Sequence, residues 1–580
     1  MSKRTARPLA VLALLAAASL ALVAAGPYAG AAGKPSYLNG VYSGSAPSHG
    51  GVLTVSVTVK KGKIASVAVK ATDSAGISDA AIDKIPAAIV KAQSAEVDAV
   101  AGASETSEAI KAAVAKALAG ATLYPVASTM KTDVVVLGGG NAGLAAAVEA
   151  ANAGAKVVLV EKMAFLGGNS IRAGGAYNAV DPERQEKQGI VDSIDKHYEQ
   201  TLSGGDGKGD PALVRTLVEG SPKGLKWLEG MGMKFNDKVF TVLGALWPRS
   251  HSPVEPVGTG FIKTLKAAAE GKGVKFLLET KADQIIREDG RVTGVVVVDA
   301  AGKRIRINAS RGVVLATGGF AANKEMRQAY DPRITPNLGT TNHPGATGDG
   351  VVMAEKIGAA LVGMEYIQML PLGDPKTGAL DGWVGFNVED YIYVNKDGKR
   401  FVSEAERRDV MTQALLKQRD QFMYIVCDAH SMPTPQTKNS FNQTAEECVK
   451  NGTAFSADTI EGLAAKIGID PAAFRATIED YNRGVEAKSD SFGKKLLGSK
   501  LDKGPFYASP RVPTVHHTMG GVKINTACEV LGQDGAAIPG LYAAGEVTGG
   551  IHGTNRLGGN ALADTIVFGR IAGTNAAAKK

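Results

Sequence analysis

The segment from Thr132 to Lys162, TDVVVLGGGNAGLAAAVEAANAGAKVVLVEK, constrains the fold of this chain more than any other feature. The apolar run Asp133–Leu137 is typical of a buried parallel strand, and Lys156–Val160 is a second such run. Between them lie three glycines at the G-x-G-x-x-G spacing and a helix-favouring run, Leu144–Ala153. Strand, glycines, helix and second strand in this order predict a dinucleotide-binding βαβ unit.

Each residue type in this unit has a physical role toward a dinucleotide. Gly138 permits a tight turn, Gly140 lets the backbone approach a pyrophosphate, and Gly143 lets the helix pack on the strand. The start of the helix, around Ala142, offers free N–H groups and a partial positive charge to phosphate. Glu161, which ends the second strand, can accept hydrogen bonds from a ribose. We therefore expect these five residues at the cofactor.

Glycine-rich motifs recur along the chain and are interrupted once. They begin with Gly167–Ser170 and Ala173–Gly175, and they resume with HHTMGG at 516–521. Such glycines let the backbone approach a flat ring, although they can also be simple loop punctuation. The segment 366–515 is more charged and punctuated by proline, so we interpret it as an inserted domain. The further residues expected at the cofactor are Asn169, Ser170, Gly174, Gly175, Asp349, His517, Glu546, Ala561 and Leu562.

The composition argues against several classes of function. The chain is 44% hydrophobic and 21% charged, as in soluble globular proteins. Its net charge of +8 is spread without basic blocks, which favours an ordinary basic surface over a nucleic-acid interface. The three cysteines, Cys427, Cys448 and Cys528, form no Cys-x-x-Cys pattern, so we expect free thiols and no metal site.

Residues 1–31 have the pattern of an export signal. Lys3, Arg4 and Arg7 precede the apolar run Leu9–Ala25, and small residues that suit cleavage follow. An uncleaved membrane anchor is the alternative, but the run is dominated by alanine and would be a weak span. We expect cleavage and a periplasmic, or otherwise extracytoplasmic, protein.

Residues 36–122 are predicted to form a separate small domain. A strand pattern with a turn at Lys61-Gly62 precedes two helical patterns, Ile82–Ala92 and Ser107–Leu118. Between the helices, this region resembles the FMN-binding domain family at Asp98, Gly102, Ala103, Ser104, Thr106 and Ser107. The resemblance implies FMN attached through its phosphate to the Ser104 hydroxyl by a flavin transferase. The alternative is that Thr106 or Ser107 caps the following helix.

From Thr132 to the C-terminus, the chain resembles the fumarate reductase/succinate dehydrogenase flavoprotein family. The motifs HHTMGG (516–521), AAGEVTGG-x-HG (543–553) and NRLGGNA (555–561) carry the resemblance, which is strongest to the exported fumarate and urocanate reductases. It implies an α/β fold with an FAD-binding Rossmann-like domain at 131–365 and 516–580. An α+β clamp (capping) domain is inserted at 366–515, and the linker 123–130 leads from the small α+β FMN-binding domain.

The family resemblance also implies the chemistry of an enoate reductase. Reduced, non-covalently bound FAD gives hydride from N5 to the C=C bond of an α,β-unsaturated carboxylate. Arg556 and His516 hold the carboxylate and stabilise the developing enolate. Arg408 takes the position of the family's proton donor, although arginine ordinarily stays protonated. Without the resemblance, a surface salt bridge from Arg408 to Asp409 or Glu404 is the simpler interpretation.

The chain departs from the fumarate reductases where their second carboxylate binds. Leu370 stands in place of a histidine. Trp383, Val384 and Asn387 stand in place of a threonine–glutamate pair and an arginine, so the family's usual proton relay is missing. We expect a pocket that includes Leu370, Trp383 and Gly559 to take an enoate with a ring or apolar substituent, urocanate being the first candidate.

Other functions stay open from the sequence. Asp381 and Glu389 are the nearby acids that could pair the ring nitrogens of urocanate, and fumarate, cinnamate-type or methacrylate-type enoates are alternative substrates. A flavin dehydrogenase acting oxidatively on a saturated acid or a ketosteroid, or a non-catalytic electron carrier, are alternative functions. No second fingerprint for NAD is visible, so we expect an external electron donor such as a membrane quinol-oxidising cytochrome, in anaerobic respiration.

Overall fold

The computed structural model describes residues 36–48, 51–71, 78–385 and 387–578. The chain divides into two compact units, Met1–Ala127 and Ser128–Lys580, and each is described by itself. The export signal expected at 1–31 lies outside the described residues. Among the helices of the described ranges, none is long and apolar enough to cross a membrane.

The first unit is an antiparallel sheet packed against two helices. Strands β2, β3 and β4 pair in chain order, and β1 pairs with β5. Buried residues alternate along β3 from Leu53 to Val59, so one face of the sheet meets the helices. The elements are β1 (Ser36–Tyr37), β2 (Gly40–Ser48), β3 (Gly51–Lys60), β4 (Lys63–Lys70), α1 (Asp79–Ala92), α2 (Ser104–Ala121) and β5 (Thr122–Leu123).

The second unit contains the remaining described elements. Its strands are β6 (Ser128–Leu137), β7 (Val157–Val160), β8 (Tyr177–Asn178), β9 (Ser250–His251), β10 (Lys275–Leu277), β11 (Lys281–Glu288), β12 (Arg291–Val298), β13 (Arg304–Leu315), β14 (Gly339–Thr340), β15 (Leu361–Val362), β16 (Ile367–Gly373), β17 (Ile392–Asn395), β18 (Met423–Cys427), β19 (Phe455–Ala457), β20 (Phe506–Thr518), β21 (Gly521–Lys523), β22 (Glu529–Leu531), β23 (Ala537–Ala543) and β24 (Thr548–Gly549). Its α-helices are α3 (Asn141–Asn152), α4 (Gly168–Arg172), α5 (Pro182–Gln185), α6 (Ile194–Gly204), α7 (Pro211–Gly230), α8 (Thr259–Gly271), α9 (Lys324–Tyr330), α10 (Asp349–Lys356), α11 (Arg408–Leu416), α12 (Ala445–Lys450), α13 (Ile460–Ile467), α14 (Pro471–Ala487) and α15 (Asn560–Ala577).

The main sheet of the second unit has the order β10-β7-β6-β13-β12-β11, and β23 joins it beside the end of β13. Strands β10, β7, β6, β13 and β23 are parallel. Their apolar side chains are buried, as parallel strands with covered faces require. The predicted βαβ unit is confirmed. Strand β6 begins earlier than predicted, at Ser128 within the expected linker, because its first residues pair with Ile305–Asn308.

A second sheet, of six described strands, connects the segment 366–515 with the cofactor motifs. Strand β20 is its centre, pairing with β14 in parallel and with β16, β18 and β19 in antiparallel orientation. The β16–β20 register places Gln368 opposite His517 and Leu370 opposite Thr514. Strand β20 runs from the predicted clamp domain into the HHTMGG motif. It therefore fixes the position of the clamp strands relative to that motif. The boundaries of the clamp domain stay a prediction.

Candidate active site

Three parallel strands of the main sheet end at the same edge and deliver three loops to one place. Strand β6 leads into Gly138, β13 into Thr317, and β23 into Glu546. These loops line a cavity of about 120 Å³. The carboxyl edge of a parallel sheet is where such folds bind dinucleotides. Helix α3 begins here after its N-cap Gly140, and the N–H of its first residue, Asn141, donates to Ser170 Oγ at 3.1 Å.

The glycines of this loop are required by close backbone approach. Gly138 has φ +107°, and a Cβ there would lie 2.2 Å from the Ala316 carbonyl oxygen. A Cβ at Gly143 would lie 1.9 Å from the Gly138 carbonyl oxygen, so the helix could not approach the strand. The Glu161 carboxylate accepts hydrogen bonds from the Gly139 and Met163 N–H groups, at 2.8 and 2.9 Å. A helix N-terminus behind a glycine cradle fits a pyrophosphate.

The smaller cavity opens toward a larger one of about 630 Å³, since Asn169, Ser170, Glu546 and Thr565 line both. The structure brings nearly all the sequence-predicted residues of this unit to the two cavities, and Gly143 alone lines neither because its role is packing. The smaller cavity is lined by Gly138, Gly140, Ala142, Glu161, Asn169, Ser170, Asp349 and Glu546. The larger is lined by Asn169, Ser170, Gly174, Gly175, Leu370, Trp383, Arg408, His516, His517, Glu546, Arg556, Gly559, Ala561 and Leu562.

Arg408 is the first residue of α11 and is buried beside the larger cavity. Its Nε donates to the Leu243 carbonyl at 3.0 Å and its Nη1 to Gln368 Oε1 at 3.3 Å, while Nη2 has no partner among the described residues. Burial, reinforced by the nearby Arg556 guanidinium, holds the pKa of Arg408 well below its usual range. The alternative interpretation, a surface salt bridge from Arg408 to Asp409 or Glu404, is wrong, because Asp409 pairs with Arg407 and Glu404 pairs with Arg400.

Arg556 lies in the same cavity with most of its donors unused. Its Nη1 donates to the Leu557 carbonyl at 3.3 Å, and Nε and Nη2 have no partner among the described residues. Burial lowers the pKa of Arg556 to about 10, and Glu546 and Asp564 oppose that shift. The Nε–Nη2 edge of a guanidinium matches the two oxygens of a carboxylate. A buried cation with this edge free is a site for a carboxylate.

His516 and His517, at the end of β20, occupy different surroundings. His516 Nδ1 lies 2.7 Å from Thr341 Oγ1, and burial together with the Arg408 and Arg556 charges holds its pKa well below the usual range. His517 Nδ1 lies 3.6 Å from Glu546 Oε1. Glu546 also accepts from the Thr518 backbone N–H at 3.0 Å, and burial raises its pKa. His516 is therefore neutral at physiological pH and belongs to the two-arginine end of the cavity.

The larger cavity also has an apolar wall, called its apolar end below, to which Leu370, Trp383 and Tyr391 contribute. Leu370 and Trp383 are buried there, and the Trp383 and Tyr391 rings meet edge to face with centroids 5.7 Å apart. Asp381 and Glu389, considered above as partners for ring nitrogens, are not among the residues that line the cavity. The exposed Lys238 does line it. This end is built for hydrophobic contact rather than for a second buried charge.

Gly559 shapes the wall between the two arginines. It has φ +85°, and a Cβ at this position would lie 2.1 Å from Asn178 Oδ1. Asn178 Nδ2 donates to the Gly558 carbonyl and to Asn560 Oδ1, at 2.7 and 2.8 Å. A Cβ at Gly558 would in turn lie 3.1 Å from Arg408 Nη2. Because neither glycine has a side chain, the loop can lie against Asn178 and leave space for the Arg408 guanidinium at the cavity.

In the first unit, Ser104 is exposed at the first position of α2. The residue before it, Ala103, is the N-cap and gives no side-chain hydrogen bond. Ser107 Oγ donates to the Ala103 carbonyl at 2.8 Å and accepts from the Val100 N–H at 3.1 Å. The helix-capping interpretation of Thr106 and Ser107 is therefore wrong, because both lie inside the helix. An exposed hydroxyl at an uncapped helix start fits a phosphate ester.

Comparison with known proteins agrees with this geometry. The family model of the FAD binding domain matches residues 133–562, and that of the FMN-binding domain matches residues 49–119. The urocanate reductase of Eggerthella lenta is 37% identical over 95% of this chain and 94% of its own length. The chain belongs to the fumarate/urocanate reductase family of flavoproteins.

Other members of this family differ in length and in the substrate that their names give. The NADH:acrylate oxidoreductase of Vibrio harveyi is 38% identical over 93% of this chain. The NADH:fumarate oxidoreductase of Klebsiella pneumoniae is 39% identical over 90% of it. This chain spans 61% and 57% of the lengths of these two relatives.

Two solved structures resemble most of this chain. The open conformation of a flavocytochrome c3 fumarate reductase has 38% identity and a TM-score of 0.63, covering 77% of this chain and 78% of its own. A 3-ketosteroid-delta4-(5alpha)-dehydrogenase from Rhodococcus jostii has 27% identity and a TM-score of 0.61, covering 78% and 97%.

Gln368 is the residue of this flavoprotein site whose role sequence reasoning missed. Its Nε2 donates to Asn555 Oδ1 and to the Arg556 carbonyl, both at 2.8 Å, while its Oε1 accepts from Arg408. One buried side chain therefore holds the segments of both arginines. A single glutamine in the otherwise apolar strand β16 was the available signal.

Proposed function

We propose that this flavoprotein reduces the C=C bond of an α,β-unsaturated carboxylate. The observation that carries the proposal is the pair of buried arginines, Arg408 and Arg556, which share one cavity and are both linked to Gln368. Neither guanidinium forms an ion pair with another described residue, and two such buried cations are costly unless the cavity binds an anion. A carboxylate provides that anion, and the apolar end of the cavity receives the rest of the substrate.

The residues divide the work between binding and proton transfer. Bound, reduced FAD supplies a hydride to the double bond. Arg556 holds the carboxylate through Nε and Nη2, and neutral His516 donates a further hydrogen bond from Nε2 in the tautomer whose Nδ1 accepts from the Thr341 hydroxyl. Both stabilise the enolate that develops as hydride arrives at the β-carbon. Arg408 gives a proton from Nη2 to the α-carbon and regains one from solvent, so the substrate gains two electrons and two protons.

Burial makes proton donation by an arginine feasible. An exposed guanidinium is effectively always protonated. At Arg408, the loss of hydration and the nearby Arg556 charge destabilise the protonated form, which is why the pKa falls. A lower pKa brings the group closer to the range in which general acids work.

The cofactors are proposed to occupy the sites described above. Non-covalent FAD would be held by the glycine loop, Glu161 and the residues shared by the two cavities. FMN would be esterified to Ser104 by a flavin transferase, and it would pass electrons onward. The electron donor is external to this chain, such as a membrane quinol-oxidising cytochrome.

The preferred substrate is proposed to be a mono-carboxylate enoate with an apolar or ring substituent. Leu370, Trp383 and Tyr391 suit such a group. Urocanate has support from the relative in Eggerthella lenta, but Asp381 and Glu389, the acids considered for its ring nitrogens, are not among the described residues that line the cavity. Acrylate-, methacrylate- and cinnamate-type enoates therefore compete with it. A ketosteroid, which has no carboxylate, would leave both arginines unpaired.

A panel of enoates with reduced methyl viologen as donor tests this proposal. We expect viologen oxidation with mono-carboxylate enoates and recovery of the saturated acid as product. Oxidation of saturated acids without enoate reduction would contradict the proposal. The proposed function also includes export, because the pattern of residues 1–31 supports a periplasmic enzyme of anaerobic respiration. Sequencing the N-terminus of the mature protein tests whether this segment is cleaved.

A further inference from the structure

Asp206 connects the two arginine-bearing segments through an ion pair outside the cavity. It lies in the turn between α6 and α7, far in sequence from both arginines. Arg407, the neighbour of Arg408, donates from Nη1 to Asp206 Oδ1 at 2.6 Å and from Nη2 to Asp206 Oδ2 at 3.1 Å. Thr554, two residues before Arg556, donates its hydroxyl to the same Asp206 Oδ2. One carboxylate therefore contacts both segments.

The turn that carries Asp206 is itself fixed against the Arg556 loop by backbone contacts. A Cβ at Gly205 would lie 2.3 Å from the His552 carbonyl oxygen, and a Cβ at Gly553 would lie 2.2 Å from the Gly205 carbonyl oxygen. Thr554 N–H donates to the Gly205 carbonyl at 3.2 Å, and Asn555 Nδ2 donates to the Gly204 carbonyl at 3.1 Å. The turn and the loop therefore form one rigid base from which Asp206 reaches Arg407.

Arg407 connects the ion pair with Asp206 to the start of helix α11. Its Nε and Nη2 also donate to Asp409, at 3.0 and 2.7 Å, so its guanidinium is held between two carboxylates. Its backbone forms the N-cap of the helix that begins with Arg408, and its carbonyl accepts from the Met411 N–H. Gln368 joins the two segments in the buried interior, and Asp206 joins them at the surface.

We propose that Asp206 is a positioning residue that sets the distance between the proton donor Arg408 and the carboxylate-binding Arg556. A half-exposed ion pair contributes little to overall stability. Its effect here is geometric, because a proton must pass to a carbon held by the other arginine, and a misplacement of about 1 Å can cost on the order of 10² in rate. The inference rests on the proposed function for its catalytic consequence.

The test compares Asp206→Asn, which removes the charge, with Asp206→Glu, which keeps it, in the full-length flavin-loaded protein. Asp195→Asn is the matched control, since Asp195 on α6 pairs with Arg215 at 2.7 Å on the surface. For Asp206→Asn we expect kcat for the enoate to fall about tenfold while the Kd of a saturated acid changes less than about twofold. Asp206→Glu should recover most of kcat, and Asp195→Asn should match the parent.

Hydrogen exchange measured by mass spectrometry gives a second readout that needs no turnover. Exchange should increase in Asp206→Asn at the start of α11 and in the 553–557 loop together, and nowhere else. Unchanged kcat and unchanged exchange would overturn the inference, as would a general rise in exchange with loss of FAD. If the parent protein reduces no enoate, the proposed function fails, and the exchange data alone then decide whether Asp206 couples the two segments.

Discussion

Replacing Arg408 by methionine isolates proton donation from substrate binding. Methionine keeps much of the side-chain volume between Gly244 and Gly558 but has no proton to give. The carboxylate site at Arg556 and His516 remains, because Arg408 contributes Nη2 alone toward the cavity. The variant should therefore bind a saturated acid normally and fail to turn over an enoate.

The size of the effect follows from the geometry. General acid catalysis by a positioned group is worth on the order of 10²–10⁴ in rate, or about 3–5 kcal/mol of activation free energy. Stability should change little, because two effects oppose each other. Losing a desolvated cation beside Arg556 is favourable, whereas Gln368 Oε1 and the Leu243 carbonyl lose a donor, at about 1–3 kcal/mol.

The assay is oxidation of reduced methyl viologen by the enoate, with FAD content and the flavin spectrum of the acid complex measured in parallel. Arg327→Met is the control, because Arg327 is also a buried arginine but donates only to the Leu338 and Gly339 carbonyls. The reasoning is refuted if Arg408→Met keeps kcat within about tenfold of the parent. It is also refuted if the loss of kcat is matched by an equal loss of acid binding.

Three further predictions address the cofactor, the substrate and the pH dependence. Ser104→Ala should lose an FMN adduct detected by mass spectrometry while keeping FAD and viologen-driven turnover; an adduct that persists would contradict attachment there. Mono-carboxylate enoates should exceed fumarate in kcat/KM by about 100-fold, because a second charge against Leu370 and Trp383 is unpaired and costs several kcal/mol; if fumarate wins, Lys238 is the cation to substitute. The Kd of a saturated acid should be constant from about pH 6.5 to 8, because the lowered pKa of His516 keeps it neutral there; a histidine titration in that range would show that the pKa is not lowered.

The sequence was sufficient to predict the glycine loops and strands of the expected cofactor-binding domains, and the reason is local. Motifs such as the glycine loop at 138–143 and the segment 555–561 combine backbone constraints that few other arrangements satisfy. The alternation along β3 and the apolar runs of β6 and β7 likewise encode their strands directly. Their positions in the structure agree with the pattern, apart from element ends such as Ser128 and Ser104.

The coupling between the arginines could not be predicted, because it depends on contacts between distant segments. Gln368 reaches Arg556 across 188 residues, and Arg407 reaches Asp206 across 201. From sequence, Arg408 was indistinguishable from an exposed arginine beside Asp409, since nothing in the local pattern shows that its neighbour Arg407 takes the carboxylate. The apolar end of the cavity was anticipated through Leu370 and Trp383, but Tyr391 was not, because its ring is brought there by the packing of β17 and the preceding turn.

The two buried guanidinium groups explain why binding and proton donation need different residues. A carboxylate held at Arg556 places a negative charge near Arg408 and stabilises its protonated form, which makes donation harder in the ground state. That opposition is overcome when hydride addition at the β-carbon brings a second negative charge, which the enolate spreads over the α-carbon and the carboxylate, because the α-carbon then becomes the stronger base. Arg556, whose pKa is lowered only to about 10, keeps its proton and its grip throughout. In the proposed mechanism Arg408 releases the proton, because burial and the Arg556 charge lower its pKa and its Nη2 has no partner among the described residues.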